Sequence, residues 1–297
     1  MKKLFLWTLV IVCSGTLPAA PPSVKQSMYR GWGEDQLAFR EQITLSNDHN
    51  YYAITIAQWK PKEKQEPQTQ FWLFEPRMSG GFSRPVMDFV RLEVNGISEI
   101  KLQPKKEDIR TWQKEDLAGA DLTLNYDGAK IVMSWYLRSD SPVLWCTLKP
   151  APDTLEPVKS IRLKISMVPS KLAKDAKGGV VWSGGYKRQA LTPARLIEQS
   201  AEGILLTKSD SWLILQDEIF DGSDKDKGDG PCIIIPGYEN AVSSVLDLRN
   251  SWINALNIQI QPDFKEFKFG LWQQKNPITN ADAEKLVKNA PDRFKLK

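Results

Sequence analysis

Histidine is nearly absent from this chain of 297 residues, which contains His49 alone. A metal centre built from several histidines is therefore excluded, and a Ser-His-Asp triad would have to be built on this one residue. His49 lies in the polar segment 46–50, directly before a predicted strand, and we interpret it as a solvated loop residue. We expect no metal site and no cofactor.

Motifs for nucleotide binding are missing as well. The segment Gly179 to Gly184 lacks the Lys-Ser or Lys-Thr pair that completes a phosphate-binding loop. The formal net charge is +4, of which Lys2 and Lys3 contribute two units. Without these two residues the charge is close to balanced, which predicts no nucleic-acid partner.

Long apolar stretches are absent except at the start of the chain. In residues 1–20, two lysines precede an apolar run at 4–12 and small residues at 19 and 20, the pattern of a secretory signal peptide. The run is too short for a permanent membrane span, and no later stretch approaches that length. We predict export to the periplasm or the cell exterior, with residues 21–297 forming one domain without a membrane span.

Cysteine is scarce, with three residues in all. Cys13 lies in the predicted signal peptide and follows Val12, whereas lipid attachment favours a small residue there, so a lipid anchor is the less favoured alternative. Cys146 and Cys232 remain in the mature chain, and disulfides persist in exported proteins. Both lie in apolar runs where a buried thiol is equally natural, so the sequence leaves the disulfide open.

Alternation of apolar and polar residues is the dominant pattern in the rest of the sequence. Ile161–Met167 is apolar at every second position, the pattern of a strand with one face on a core and one in water. Further strands are predicted at 52–59, 122–126, 131–137, 143–148, 212–215, 233–235, 245–248, 256–261 and 266–269. The dipeptides Asn95-Gly96 and Asp127-Gly128 lie between such segments and predict two hairpins.

The predicted fold is all-β, an antiparallel β-sandwich or supersandwich with one short C-terminal helix. Segments typical of helices crossing between parallel strands are absent, which favours antiparallel sheets. The helix is expected at 280–289, capped by Thr279 and ended by Pro291. A short turn from Thr192-Pro193 through Glu198 is also predicted.

Residues 121–169 combine a hairpin, the aromatic strand 134–137, a polar turn at 138–142 and two alternating strands. This order resembles the central part of galactose mutarotase-like β-supersandwich domains. The resemblance implies a carbohydrate context, since such domains occur in sugar epimerases and as accessory domains of glycosidases and polysaccharide lyases. The mutarotases use two histidines with a carboxylate, and His49 alone does not meet that requirement.

Eleven tryptophans suggest where a ligand binds. Exported sugar-binding proteins present flat aromatic faces to pyranose rings, with arginines and carboxylates gripping the hydroxyls. Trp135 and Trp145 lie inside regular predicted strands and are expected in the core. Two other segments combine aromatic and charged residues, one of them around Gly184-Gly185. The candidate substrate-binding residues are Trp182, Tyr186, Arg188, Trp72, Glu75 and Arg77.

Three functions remain open. The first is a non-catalytic protein that binds a polysaccharide or oligosaccharide through exposed aromatic and arginine side chains. The second is a lyase or epimerase on the same fold, which requires Glu75, Tyr186 and Arg188 to converge. The third is a structural or interaction protein of the cell envelope. The loop 221–230 offers four carboxylates but departs from the EF-hand pattern, so we expect a surface loop rather than a calcium site.

Overall fold

The computed structural model of the chain describes residues 20–30, 34–60, 69–74, 87–167, 172–174, 180–182, 188–217, 232–249 and 254–273, together with Asp282 and Lys285. The predicted signal peptide, apart from Ala20, and the loop 221–230 lie outside the described residues. Of the predicted C-terminal helix only Asp282 and Lys285 are described, and both are helical. Within this part of the chain no helix is long and apolar enough to cross a membrane.

The described residues are predominantly strands. In chain order they are β1 (Ser23–Met28), β2 (Leu37–Ser46), β3 (Tyr51–Trp59), β4 (Thr69–Phe74), β5 (Met87–Val94), β6 (Ile97–Ser98), β7 (Ile109–Gln113), β8 (Leu117–Tyr126), β9 (Ala129–Arg138), β10 (Leu144–Pro150), β11 (Ile161–Met167), β12 (Leu172–Lys174), β13 (Val180–Trp182), β14 (Arg188–Leu191), β15 (Leu196–Glu198), β16 (Ile204–Leu205), β17 (Leu213–Asp217), β18 (Cys232–Ile235), β19 (Ala241–Asp247), β20 (Asn254–Ile260) and β21 (Phe267–Gln273). Short 3-10 helices span Glu34–Gln36, Glu99–Lys101 and Lys106–Asp108.

Two large antiparallel sheets pack face to face, as the sequence predicts. Sheet I has the order β1-β2-β3-β4-β5-β11-β20-β19-β16, with β6 paired to β5. Sheet II has the order β15-β14-β17-β18-β21-β10-β9-β8-β7. Strands β12 and β13 form a separate two-stranded sheet. The long crossovers, such as the one that places β11 beside β5, depend on contacts between distant parts of the sequence.

Both predicted hairpins are confirmed. Asn95 and Gly96 adopt φ values of 54° and 78° between β5 and β6, and Asp127 and Gly128 adopt 50° and 96° between β8 and β9. Positive φ at both central residues defines the tight hairpin turn whose twist matches that of the flanking strands. These local sequences therefore set the register of their hairpins.

The main core lies between the two sheets and follows from the alternation along each strand. Sheet I contributes inward residues such as Ile54, Leu163 and Ile258, all at most 2% exposed. Trp135 of sheet II is 1% exposed and meets the ring of Phe269 edge-on, with 5.7 Å between the ring centroids. The prediction that Trp135 belongs to the core is confirmed.

A second apolar cluster lies on the outer face of sheet II. Trp145 is buried as predicted, but it points away from the main core because its strand neighbours Leu144 and Cys146 point inward. Its cluster consists of Val143, Trp145, Trp212, Ile214, Ile233 and Ile235, with Tyr136, Leu191 and Trp272 packed against it. Both faces of the centre of sheet II are thus apolar.

Polar side chains join the two sheets at one end of the sandwich. The amide nitrogen of Asn47 donates to the carbonyl oxygens of Arg138 at 2.6 Å and Ser141 at 2.7 Å. The hydroxyl of Tyr52 donates to the carbonyl oxygen of Pro142. These bonds connect the β2–β3 turn of sheet I to the β9–β10 turn of sheet II, so that buried backbone groups between the sheets are satisfied.

The turn at Thr192 is present, but the chain beyond it is extended. The hydroxyl of Thr192 accepts the backbone N–H groups of Ala194 at 3.2 Å and Arg195 at 3.0 Å. The prediction of a turn continuing through Glu198 was wrong, because residues 196–198 pair with β14 as the edge strand β15. Pairing at a sheet edge decided the conformation there.

The two cysteines are free and buried, which decides between the alternatives that the sequence left open. Cys146 pairs across to Phe269 on β21, and Cys232 pairs to Gln273 on the other side of the same strand. Two strand spacings, about 10 Å, and an offset of four residues along β21, about 13 Å, separate them, well beyond the roughly 7 Å between Cα atoms that a disulfide can bridge. Burial raises the pKa of both thiols.

We expect both thiols to be unreactive in the folded protein. Burial removes them from the reagent and holds them in the protonated form, which is not the nucleophile. A chromogenic disulfide reagent at neutral pH should report no fast-reacting thiol from Cys146 or Cys232 in native mature protein and both in denaturant without reductant. Absence of reactive thiols after denaturation would show that they are paired.

Candidate functional site

The structure places the sequence-predicted site residues only in part. Glu75, Arg77 and Tyr186 lie outside the described residues. Trp72 and Trp182 are described by their backbone alone, Trp72 in β4 of sheet I and Trp182 in β13 of the two-stranded sheet. The segments predicted as two ligand-binding clusters therefore belong to different sheets.

Arg188 is the one predicted site residue whose side chain is described. It is 1% exposed in β14 of sheet II, where its backbone pairs with Asp217. Its backbone N–H donates to Oε1 of Gln199 at 3.1 Å.

His49 is exposed in the β2–β3 turn, as expected of a solvated loop histidine. Its backbone N–H donates to Oδ1 of Asn47 at 2.9 Å. Within the described ranges, no three side chains of His, Cys, Asp or Glu come together in a group that could hold a metal ion.

An aromatic row crosses the outer face of sheet II from its edge towards the second apolar cluster. We define the aromatic row as Trp112, Tyr136 and Trp145, with Gly119 and Gly270 between or beside them. In register, Trp112 on β7 pairs with Gly119, which pairs with Tyr136, which pairs with Trp145, which pairs with Gly270. One aromatic residue thus comes from each of three strands at the same height.

The glycines let the indole rings lie across the sheet. A Cβ atom on Gly119 would lie 2.4 Å from Cζ2 of Trp112, and one on Gly270 would lie 2.9 Å from Cζ3 of Trp145. Both separations are shorter than carbon atoms tolerate, so any side chain would lift the ring. Glycine inside a strand commonly marks such a close approach, and Gly119 was the sequence signal for this site that the tryptophan count alone did not use.

Trp112 and Tyr136 form the accessible end of the row. Both are partly exposed, and their ring centroids are 6.4 Å apart with a 34° angle between the planes. The indole N–H of Trp112 donates to Oδ1 of Asp121 at 3.0 Å, which holds the ring in place. Trp145 continues the row inward but is buried.

Two lysines flank the aromatic row. Nζ of Lys114 lies 5.8 Å from the Trp112 ring centroid, and Nζ of Lys268 lies 5.7 Å from that of Tyr136 and 4.9 Å from that of Trp145. Burial lowers the pKa of Lys268, against the opposing effect of Glu266. Burial also raises the pKa of the Tyr136 hydroxyl to about 12. Tyr136 therefore remains a neutral hydrogen-bonding group at physiological pH.

A polar cleft lies on the outer face of sheet I, away from the aromatic row. We define the sheet I cleft by Arg91, Glu93, Ser98, Glu99, Arg162, Leu163, Lys164, Ser243, Val245, Asn257, Ile258 and Gln259. Strands β5, β11, β20 and β19 form its floor, and the 3-10 helix Glu99–Lys101 forms one wall. Its volume of about 400 Å³ suits a ligand of monosaccharide size.

Glu99 is the buried carboxyl group of this cleft, with 3% exposure. Burial raises its pKa, while hydrogen bonding to Ser98 and the charge of Arg91 act in the opposite direction. Ser98 Oγ donates to Oε2 of Glu99 at 2.9 Å, and Nε of Arg91 lies 3.9 Å from Oε1. The sequence offered no periodic signal for Glu99, because it lies in a one-turn helix after a hairpin.

No family model and no curated protein matches this sequence. A TPR-domain containing protein from Parabacteroides distasonis superposes with a TM-score of 0.42 at 9% identity, over 80% of this chain and 48% of that chain. A GH36 α-galactosidase from Geobacillus stearothermophilus gives a TM-score of 0.40 at 8% identity, over 84% and 41%. A second GH36 α-galactosidase from that organism, in complex with stachyose, gives 0.38 at 8% identity, over 85% and 41%. This chain spans less than half the length of each of these proteins.

Proposed function

We propose that this protein is an exported, non-catalytic β-sandwich that binds a polysaccharide or oligosaccharide through the aromatic row of sheet II. The observation that carries the proposal is the pair of partly exposed rings of Trp112 and Tyr136, whose centroids lie 6.4 Å apart on the outer face of sheet II. The signal-peptide pattern of residues 1–20 and the resemblance of residues 121–169 to sugar-associated domains support it.

The geometry of the pair suits a sugar chain. The apolar face of a pyranose ring packs on an aromatic ring, and two neighbouring rings can contact successive sugars. Because Gly119 carries no side chain, nothing separates Trp112 from Tyr136 along the row. Trp112 lies on β7, the edge strand of sheet II, so a long sugar chain could extend past the pair beyond the sheet.

Polar groups around the pair suit the sugar hydroxyls. The hydroxyl of Tyr136 and the ammonium groups of Lys114 and Lys268 border the rings, and Asp121 lies beside Trp112. Ligand sites typically combine aromatic surfaces with a few convergent polar groups of this kind. Lys114 is exposed, which favours contact with an extended ligand rather than an enclosed one.

Trp112→Ala should weaken glycan binding by about 1–3 kcal/mol, or roughly 5- to 150-fold in Kd, the scale of an aromatic anchor. The melting temperature should change little because the ring is partly exposed. Affinity electrophoresis against plant, algal and bacterial polysaccharides would first identify the ligand, and titration calorimetry would then compare the variants.

The matched control is Trp59→Ala, which removes a partly exposed tryptophan from sheet I. It should leave glycan binding unchanged, and Tyr136→Ala should reproduce the loss seen with Trp112→Ala. Equal affinities in all three variants, or the absence of binding to every polysaccharide tested, would refute the proposal.

A further inference from the structure

We propose that the sheet I cleft is a second ligand site, which binds a sugar acid by its carboxylate and hydroxyl groups. The cleft lies on the outer face of sheet I, whereas the aromatic row lies on the outer face of sheet II. This proposal therefore stands independently of glycan binding at the aromatic row.

The floor of the cleft is built from two rows of residues in register across four strands. In the first row Glu93 pairs with Arg162, which pairs with Gln259, which pairs with Ser243. In the second row Arg91 pairs with Lys164, which pairs with Asn257, which pairs with Val245. Directly opposed residues on one face have Cβ atoms about 5 Å apart, so neighbouring side chains of a row lie within reach of one small ligand.

Most polar groups of the first row already have partners. Nη1 of Arg162 lies 3.4 Å from Oε1 of Glu93, and its Nε donates to Oε1 of Gln259 at 3.2 Å. Nε2 of Gln259 donates to the carbonyl oxygen of Ile161 at 3.1 Å. These bonds hold the side chains of Arg162 and Gln259 in position on the floor of the cleft.

The second row provides the groups that remain available. Among the described residues, neither the ammonium of Lys164 nor the side-chain amide of Asn257 makes a hydrogen bond or an ion pair within 4 Å. The two are direct cross-strand partners, and both line the cleft. A cation beside a free amide is suited to a ligand that carries a carboxylate and a neighbouring hydroxyl.

The charge of the cleft favours an anion. The lining has three cationic residues, Arg91, Arg162 and Lys164, against two acidic ones, so its formal charge is one positive unit. The Glu93 carboxylate is engaged with Arg162. Glu99 is held away from solvent beneath Ser98 and Arg91. Lys164 is therefore an exposed cation of the floor with no carboxylate within 4 Å in the described chain. Its charge acts on Asp247, whose carboxylate is bound by Arg249, and a ligand carboxylate would supply a direct partner. A hydroxylated monocarboxylate of sugar size fits within the volume of about 400 Å³.

The test is titration calorimetry of the mature protein at low ionic strength with galacturonate and glucuronate, and with galactose and glucose as neutral counterparts. At least one acid should bind at least tenfold more tightly than its neutral sugar. Lys164→Gln should weaken acid binding at least tenfold, and Asn257→Ala should weaken it measurably.

Lys25→Gln is the control, because Lys25 is an exposed lysine on another strand of sheet I. It should leave binding unchanged, and Trp112→Ala should do the same, which separates this site from the aromatic row. Equal binding of acid and neutral sugars, undiminished binding by Lys164→Gln, or no binding of either acid would overturn the proposal.

Discussion

Replacing Asp210 by alanine should destabilise the protein by about 2–4 kcal/mol. The Asp210 carboxylate is buried and accepts hydrogen bonds from Thr192 Oγ1 at 2.9 Å, from Nη2 of Arg195 at 3.1 Å and from the backbone N–H of Thr207 at 3.0 Å. Removing one partner of a fully buried ion pair typically costs roughly 3–5 kcal/mol. We expect slightly less because Arg195 is half exposed and keeps access to water.

The same residue gives a pH dependence with a defined sign. Burial by itself raises the pKa of Asp210, but hydrogen bonds from Arg195, Thr207 and Thr192 outweigh it and hold the pKa below the ordinary value of 3.8. The stabilisation is therefore present above pH 3.8 and is lost as the pH falls through the lower pKa of the folded state.

Urea denaturation at neutral and acid pH would measure both effects. The difference in the free energy of unfolding between wild type and Asp210→Ala should shrink as the pH falls. Asp153→Ala is the matched control, because Asp153 pairs with Lys130 on the surface and its side chain is 70% exposed. Exposed pairs contribute little. Equal losses of stability in the two variants would contradict the conclusion that the buried hydrogen bonds of Asp210 stabilise the fold.

Trp135→Ala should cause the largest loss of stability, about 3–5 kcal/mol. Trp135 is among the largest fully buried side chains, and its ring packs edge-on against Phe269, which lies two strands away in sheet II. Truncation removes this contact and leaves a cavity between the two sheets, where rigid strands on both sides limit collapse.

Trp135→Phe separates the volume of the side chain from its polar group. Nε1 of Trp135 is buried without a hydrogen-bond partner among the described residues, so phenylalanine keeps a ring and removes an unsatisfied donor. The loss should be clearly smaller than for alanine in thermal and chemical unfolding. Comparable losses would show that the indole contributes through a contact that phenylalanine lacks.

The local sequence pattern was sufficient to predict much of the fold. The bounds of β11 were predicted to the residue because Ile161–Met167 alternates without interruption. Both hairpins followed from Asn-Gly and Asp-Gly dipeptides, whose conformational preference is local. The short edge strands β15 and β16 were not predicted, because each has only two or three residues and is extended through pairing with a neighbouring strand, β14 for β15 and the distant β19 for β16.

The candidate sites were much less accessible to sequence reasoning. Trp112 lies in a short edge strand, and its importance follows from the register that sets it beside Tyr136. Lys164 was visible only as a polar position of an alternating strand, and its partner Asn257 is far away in sequence. Arg188, one of the residues predicted to bind a ligand, is buried. Its burial could not be predicted, because residue type alone does not tell which face of a strand meets solvent.

The sequence by itself determined that the chain forms antiparallel sheets, where the two hairpins turn, and that Trp135 lies inside. These properties depend on neighbours along the chain: a period of two, a pair of turn residues, an apolar side chain in an alternating strand. Only the tertiary structure decided that the two cysteines are separated by β21, that Trp145 faces the second cluster, and that Lys164 faces Asn257. Each of these facts depends on register between distant strands, which is set by the packing of the whole sandwich.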